Sequence, residues 1–338
     1  RLLVSYLPLH VEPGHNLQLG VVPRKDANGV LPTLDFDQVM LDPGSGEVAG
    51  QRLWGEMSLS RESIMAFLYK LHYSLHIPDA FNLPVGMLLL GMVSVVWIID
   101  SVIALWIAFP ARRSWRKSLA FRWRTGGYKL NFDLHRSGGV WIWVLLLVMA
   151  VTSVSLNLQF QVMRPLVSLF SPLSANPFGE RDPLFLQQAP PAQISRLEAI
   201  ERATSEARQR GITVPPGGLF YSPEFDLYSI TFFAAGADHG DGGLGNPWMT
   251  LDAQDGRLLS FDEPGQGSAG DLFMQAQFPL HSGRILGLPG RILVSVLGVL
   301  IAMLSLTGIV IWLRKRASRR QMAARAEAVI STQAAPAP

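Results

Sequence analysis

Three long apolar runs stand out along the chain between stretches of mixed polarity. They cover residues 83–109, 138–158 and 288–313. Each run is close to or longer than the roughly 20 residues that an α-helix needs to cross about 30 Å of hydrocarbon. Since a backbone in lipid must satisfy its hydrogen bonds internally, the pattern predicts three transmembrane helices.

The polar segments outside these runs predict small α+β units. A strand, a polar turn ending in glycine and a second strand occur twice in related form, at 39–48 and 248–258. Apolar positions at helical spacing predict a helix over 194–210, and strands are expected at 220–221 and 228–233. The repeat indicates two related modules, each placed before a membrane helix.

Composition and charge indicate a membrane protein with sizeable soluble parts. Hydrophobic residues make up 49% of the chain and charged residues 16%. Basic residues cluster between the first two runs and after the last: Arg112, Arg113, Arg116, Lys117, Arg122, Arg124, Lys129, Arg314, Lys315, Arg316, Arg319 and Arg320. Because short basic flanks stay in the cytoplasm, the other two polar segments are expected on the outer side. A nucleic-acid partner is not expected, since the basic residues flank membrane runs and form no patterned patch.

These boundaries divide the chain into seven predicted segments. They are an outer segment at 1–70, a transmembrane helix at 71–110 with His72 and His76 at its outer face, a cytoplasmic basic loop at 111–134, a transmembrane helix at 135–160, an outer α+β domain at 161–279, a transmembrane helix at 280–316 and a cytoplasmic tail at 317–338. An outer N-terminal segment has to be carried across the membrane. We therefore expect a fourth, N-terminal helix that lies outside this sequence.

The absence of cysteine limits the chemistry of any metal centre. It excludes disulfides, iron–sulfur clusters, zinc–thiolate sites and covalently attached c-type haem. Leu-His pairs ending at His76 and His281 each precede an apolar run, and the spacing from His to the following Pro84 or Pro289 is the same. An imidazole at the edge of an apolar helix bundle suits haem iron, so the repeat predicts ligands of a non-covalent, b-type haem.

Four histidines are candidate haem ligands. His76 and His281 are expected at the outer face, on opposite sides of one iron, and His72, one helical turn before His76, is the other possible ligand there. One of His72 and His76 can instead be an interfacial histidine. His135 is expected at the inner face, either as a ligand whose mate is a methionine or comes from the helix outside this sequence, or as a capping residue. A helix rises about 1.5 Å per residue, so the two groups predict two haem sites.

Charged residues beside these histidines extend the predicted sites. Arg136 follows His135 directly and Arg284 follows His281 by three positions. Their guanidinium groups are candidates for binding haem propionates, and equally for anchoring at the membrane surface. Asp100 is the one acid inside a predicted span, which makes it a candidate for proton relay or cofactor contact, or else a water-bonded side chain.

Several motifs resemble those of the PepSY-associated transmembrane family, which includes ferric-siderophore reductases of the FoxB type. They are Lys70-Leu71-His72 through Pro84, Phe132-Asp133-Leu134-His135-Arg136-Ser137-Gly138-Gly139-Val140-Trp141, Pro279-Leu280-His281-Ser282-Gly283-Arg284 and the two Leu-Asp…Gly turns. The resemblance covers nearly the whole chain except its tail. It implies a multi-pass protein of the bacterial inner membrane, in which an α-helical transmembrane bundle carries periplasmic PepSY-like α+β domains.

The resemblance also implies a function. The expected protein is an oxidoreductase with two haem b groups that passes electrons from an unknown cytoplasmic or membrane donor to a ferric siderophore in the periplasm. Ferrous iron binds hard oxygen ligands less tightly, so reduction releases the metal. Two alternatives stay open: a membrane haem oxidoreductase acting on quinol or superoxide, and a non-enzymatic regulator of a periplasmic peptidase or the cell wall.

Overall fold

The computed structural model describes residues 2–81 and 83–333, with side chains up to residue 326. The strands are β1 (Leu2–Pro8), β2 (Leu17–Pro23), β3 (Gln38–Leu41), β4 (Val48–Arg52), β5 (Pro216–Ser222), β6 (Leu227–Phe232), β7 (Trp248–Asp252) and β8 (Leu258–Asp262). The helices are α1 (Ile64–Ser74), α2 (Val85–Ala108), α3 (Trp115–Leu119), α4 (Gly127–Trp141), α5 (Trp143–Asn157), α6 (Arg164–Ser168), α7 (Pro177–Glu180), α8 (Arg196–Gln209), α9 (Ala269–Ser282) and α10 (Leu288–Gln333). Residues 334–338 of the predicted tail lie outside the described residues.

Two of the three predicted spans are continuous helices. Val85–Ala108 and Leu288–Ala326 are long and apolar enough to cross a membrane. The third predicted span is broken, because α4 and α5 are bent by 68° and qualify as a span only as a pair. The bend lies at Ile142, shortly after two consecutive glycines, where a helix is easily kinked.

The eight strands form one antiparallel sheet in the order β4-β3-β2-β1-β5-β6-β7-β8. The first four and the last four strands are each a meander, and the pairing of β1 with β5 joins them, with Tyr6 opposite Phe220. The repeated segments at 39–48 and 248–258 are the outermost hairpins, β3–β4 and β7–β8. The sequence indicated two separate outer domains, whereas the structure joins their strands in one sheet.

The turns of these two outer hairpins are built alike. Asp42 accepts hydrogen bonds through Oδ1 from the backbone N–H groups of Gly44 and Ser45, at 2.9 and 2.8 Å. Asp252 Oδ1 accepts one from the N–H of Gln254 at 2.8 Å. An aspartate that binds the backbone of its own turn favours that turn, so the repeated Leu-Asp…Gly motif explains both hairpins.

Helix α8 covers part of the sheet through small side chains. Ser195 caps its first turn by accepting a hydrogen bond from the Glu198 N–H at 3.1 Å. Ala199, Ala203 and Ala207 are buried at four-residue spacing and pack in one core with side chains of β5, β6 and β7. Since alanine places little volume between helix and sheet, the helix approaches the sheet closely.

Contacts along the chain define two units. One comprises residues 1–94 and 152–290 and is called the sheet unit below. The other comprises residues 95–151 and 291–338 and is called the helical unit. Each unit contains some of the candidate cofactor-binding residues.

Candidate functional site

Helix α1 ends before the first span begins. Its last residue is Ser74, and the next two residues, Leu75 and His76, have left-handed backbone conformations with φ of 53° and 56°. Gly86, near the start of α2, lies against this end, because a Cβ there would be 2.0 Å from the Ser74 carbonyl oxygen. The structure thus replaces the single helix expected over 71–110 with two helices separated by a left-handed turn.

Helix α9 repeats this arrangement before the last span. Ser268 and Asp271 form a reciprocal capping box at its start, and Gly283 ends it with φ of 76°. A Cβ on Gly290, near the start of α10, would be 2.0 Å from the Gly283 carbonyl oxygen. Each Leu-His motif therefore lies at the end of a short helix that precedes a span, and not on the span itself.

In the sheet unit, His72 on α1 and His281 on α9 lie next to one another. Their ring centroids are 5.8 Å apart, with the ring planes inclined by 50°. Thr152 Oγ1 on α5 forms a hydrogen bond of 3.0 Å with His281 Nδ1. Burial, and to a lesser degree the charge of His72, lower the pKa of His281 to about 4. The His281 ring is therefore neutral near pH 7 and keeps a lone pair.

His76 has a different place from the one that the sequence indicated. Its Nε2 donates a hydrogen bond of 2.9 Å to the Phe67 carbonyl oxygen, and its ring packs on the Phe67 ring with centroids 4.8 Å apart. The expectation that His72 and His76 share a helix face does not hold, because α1 has ended before His76. The structure brings His72, and not His76, to His281.

Two polar atoms on the same helices are buried without a hydrogen-bond partner among the described residues. They are Gln277 Oε1 on α9 and Ser155 Oγ on α5. Gln277 precedes His281 by four positions and Ser155 follows Thr152 by three, so each lies one helical turn from a member of the hydrogen-bonded pair. Buried polar groups are nearly always hydrogen-bonded. A group bound next to these two atoms would supply the hydrogen-bond partners that they lack among the described residues.

In the helical unit, one ring nitrogen of His135 on α4 forms hydrogen bonds within the protein, and the other is available to bind a metal. Its Nδ1 donates a hydrogen bond of 3.0 Å to the Leu304 carbonyl oxygen, and Thr307 Oγ1 lies 3.2 Å from the same nitrogen. Gly308 permits this approach, since a Cβ there would be 3.0 Å from His135 Cε1. Because a carbonyl oxygen only accepts, Nδ1 carries the proton and Nε2 has the lone pair that a metal requires.

A cavity of about 670 Å³ in the helical unit is lined in part by His135. Its polar lining includes Asp100, Lys117 and Arg136, and most of the remaining lining is apolar. Arg136 Nε is buried with no hydrogen-bond partner in the described part of the chain, while its terminal nitrogen donates to the Lys117 carbonyl oxygen. The volume is that of a small-molecule site, and the lining offers an imidazole, cations and one carboxylate.

Asp133 ties the basic segment to α4. Its fully buried carboxylate accepts two hydrogen bonds of 2.7 Å from the Arg122 guanidinium and one of 3.1 Å from the Arg122 N–H. The Arg136 guanidinium lies 3.5 Å from the same carboxylate. A bidentate arginine–carboxylate pair fixes geometry as well as energy. Asp133 and Arg122 are thus structural residues of this site that the sequence analysis did not identify.

Arg284 forms an ion pair on the outside of the sheet unit. Its guanidinium is 2.6 Å from Asp241 Oδ1, and its carbonyl oxygen accepts a hydrogen bond from the Gly242 N–H. The structure therefore shows Arg284 bound to the glycine-rich loop before β7. Any contact with a propionate, as predicted from the sequence, would have to compete with this ion pair.

The histidines present fit haem better than a metal held by protein ligands alone. Among the residues that the structure describes, no group of three or more His, Cys, Asp or Glu side chains could hold a metal ion. Haem iron needs only one or two imidazoles, because the porphyrin supplies the other ligands. An imidazole nitrogen binds a metal at about 2 Å, so two rings on opposite sides of one ion have centroids roughly 6 Å apart. His72 and His281, at 5.8 Å, are close to that separation.

Comparison with known proteins identifies a family. The family model described as PepSY-associated TM region matches residues 11–315. The match contains all four candidate histidines and confirms the family that the sequence motifs indicated. No curated protein sequence matches the chain.

Proposed function

The chain belongs to the PepSY-associated transmembrane family, and we propose that this membrane protein is a haem-b-dependent reductase of the bacterial inner membrane. In this proposal the sheet unit is periplasmic, the electron donor is a cytoplasmic or membrane component, and the acceptor is a periplasmic ferric siderophore. Reduction weakens the binding of iron by hard oxygen ligands and releases ferrous iron.

The observation that carries the proposal is the pairing of His72 with His281. Each half of the chain contributes one imidazole, and the ring centroids are 5.8 Å apart, so His72 and His281 would together hold one haem iron. Thr152 forms a hydrogen bond with His281 Nδ1, which leaves Nε2 of that ring to bind the metal. A partner behind the binding nitrogen fixes the orientation of a ligating imidazole. Haem b held there would supply reversible one-electron exchange.

His135 supports a second place for haem b. The Leu304 carbonyl holds the Nδ1 proton of His135 and leaves Nε2 for a metal. Arg136, beside it, is a cation whose buried Nε has no hydrogen-bond partner among the described residues, which suits a propionate. In the proposal, the chain's own residues orient the imidazoles, exclude water from the cavity and compensate negative charge.

Absorption spectroscopy of the purified protein in detergent tests the cofactor. We expect a Soret band and a pyridine haemochrome of the b type. His72→Ala and His281→Ala should each lose the haem of their shared site and keep the haem at His135, so that the haem content per protein falls by about half. His76→Ala is the matched control, because His76 donates to Phe67 and its loss should leave the spectrum unchanged. A protein that stays colourless after growth with haemin would refute the proposal and favour the regulator.

Anaerobic reoxidation tests the substrate. The protein reduced with dithionite should be reoxidised faster by a ferric siderophore than in buffer alone, and a ferrous chelator should trap the released iron. A reduced protein that a quinone reoxidises, but that ferric siderophores do not, would contradict the substrate and leave the cofactor intact.

A further inference from the structure

A second cavity, of about 460 Å³, lies within the sheet unit. Leu3 and residues 23–25 contribute to it from the N-terminal half of the sheet, and residues 189–192 and 194–196 with Tyr221 and Tyr228 contribute from the other half. None of the candidate haem-binding histidines lines it. It is therefore a separate site, formed where the two halves of the sheet meet.

The lining of this cavity is positively charged. Arg24, Lys25 and Arg196 line it, and no Asp or Glu is among its lining residues. In the part of the chain that the structure describes, none of these three cations is paired with a carboxylate. Three cations that converge on a cavity without counter-charges favour an anionic ligand.

Arg196 is the most constrained of these cations. Its terminal nitrogen donates to the Val4 carbonyl oxygen, and its guanidinium lies over the Tyr221 ring at 5.6 Å. Its Nε is buried and has no hydrogen-bond partner within the described residues. Arg196 is also the first residue of α8, so the positive end of the helix adds to its charge. A bound anion would supply the hydrogen-bond acceptor that this fixed donor lacks.

The remaining lining is apolar or neutral. Leu31, Leu186, Pro190 and Pro191 give the cavity flat hydrocarbon surfaces. Burial first, and then the neighbouring Tyr228, raise the pKa of Tyr221 to about 12, so its phenol adds no negative charge. Such surfaces favour a planar ring next to the anionic group.

We propose that this cavity binds a catecholate group of an anionic ferric chelate. The two vicinal oxygens of a catecholate match a guanidinium, and its ring matches the proline and tyrosine surfaces. The volume accommodates one arm of a chelate, so the cavity is a docking site for part of the ligand. The inference rests on the proposed function in taking ferric chelates as substrates, and it narrows them to anionic ones.

Gallium(III) complexes test the inference without redox chemistry. Titration calorimetry on the whole protein in detergent compares the anionic tris-catecholate of gallium with the neutral tris-acetohydroxamate. We expect the catecholate complex to bind at least about tenfold more tightly than the hydroxamate complex. Arg196→Gln should weaken its binding about tenfold, which is about 1.4 kcal/mol, because the variant loses a charge-assisted hydrogen bond to the anion. Because Arg196 also holds Val4, the double variant Arg24→Gln/Lys25→Gln provides a second test at residues with fewer contacts.

The matched control is Arg208→Gln, which removes an exposed charge from the same helix outside the cavity. It should change the affinity less than twofold. Equal weakening in the control, wild-type affinity in both cavity variants, or no binding of the catecholate complex would overturn the inference. If the catecholate complex fails to bind but the protein has an intact Soret band, the haem proposal stands and the docking inference fails. If a colourless protein binds the complex, the docking inference stands and the haem proposal fails.

Discussion

The hydrogen bond between Thr152 and His281 gives a sharp test of how the chain presents an imidazole. Thr152 is 1% exposed, and its Oγ1 is 3.0 Å from His281 Nδ1. Thr152→Val keeps the side chain nearly the same size and removes the hydroxyl. Loss of a partner behind a metal-binding histidine typically lowers metal affinity about 10- to 100-fold, so we expect that loss in haem affinity.

The assay is a titration of haem-free protein with haemin, followed at the Soret band. Thr204→Val is the matched control, because the Thr204 hydroxyl donates to the Ile200 carbonyl at 2.6 Å on α8, away from the candidate histidines. A wild-type dissociation constant for Thr152→Val would refute the orienting role of the hydroxyl. Equal weakening in the control would assign the effect to general destabilisation.

Two further predictions concern stability. Gly86→Ala should lower the melting temperature in detergent by an amount equivalent to about 1–3 kcal/mol, because the new Cβ would meet the Ser74 carbonyl oxygen. Gly298→Ala should not lower the melting temperature, because nothing lies within 4 Å of the new Cβ. Equal melting temperatures for the two variants would contradict the close contact between Gly86 and the end of α1. Asp252→Asn should cost about 2 kcal/mol near pH 7. Burial alone would raise the pKa of Asp252, but the hydrogen bond from Arg181 and backbone N–H groups outweigh it and lower that pKa. The contribution is therefore complete above the ordinary carboxyl pKa and is lost as pH falls through the lowered one. Hydrogen exchange of the β7–β8 hairpin should show a constant difference between the two proteins down to about pH 4 and convergence below it. A difference that stayed unchanged well below about pH 4 would contradict the argument.

The spans and the outer hairpins could be predicted because their signals are local. An apolar run of sufficient length specifies a membrane helix with little help from other residues, and α2 and α10 follow the predicted runs. The same holds for the turns at Asp42 and Asp252, where one side chain binds the backbone of its own turn. Such features need no knowledge of distant contacts.

The pairing of the histidines could not be predicted, because it depends on where α1 ends. Matching the two Leu-His motifs by their distance to the next proline aligned His76 with His281. The left-handed conformations of Leu75 and His76 are rarely adopted by residues other than glycine. The local sequence therefore does not predict them. That turn removes His76 from the face of His72 and leaves His72 beside His281.

The single sheet also depends on distant contacts. The pairing of β1 with β5 joins Tyr6 to Phe220, and nothing in either strand identifies the other. Likewise, the partner of Arg122 is Asp133, which lies in the same motif as His135 and Arg136 and has no sequence feature that identifies this pairing. Residues whose role is to hold others in place carry no chemical signature of their own.

The duplicated architecture explains why the candidate ligands come from both halves of the chain. In the first half, Trp54 follows β4 and stacks on Tyr73 of α1, with centroids 6.0 Å apart. In the second half, Gln275 of α9 donates to the Glu263 carbonyl oxygen, just after β8. Helices α1 and α9 are thus each held at one side by their own half of the sheet and at the other by a glycine contact with the following span.

A helix held by these two contacts has little freedom to move its last turn, which is where the imidazole lies. Because β1 and β5 join the halves into one sheet, the two helix ends are set relative to one another by backbone pairing rather than by the histidines themselves. The separation of the His72 and His281 rings is therefore a property of the scaffold. A ligand that bridges them would meet a site already organised for it, which reduces the entropy lost on binding.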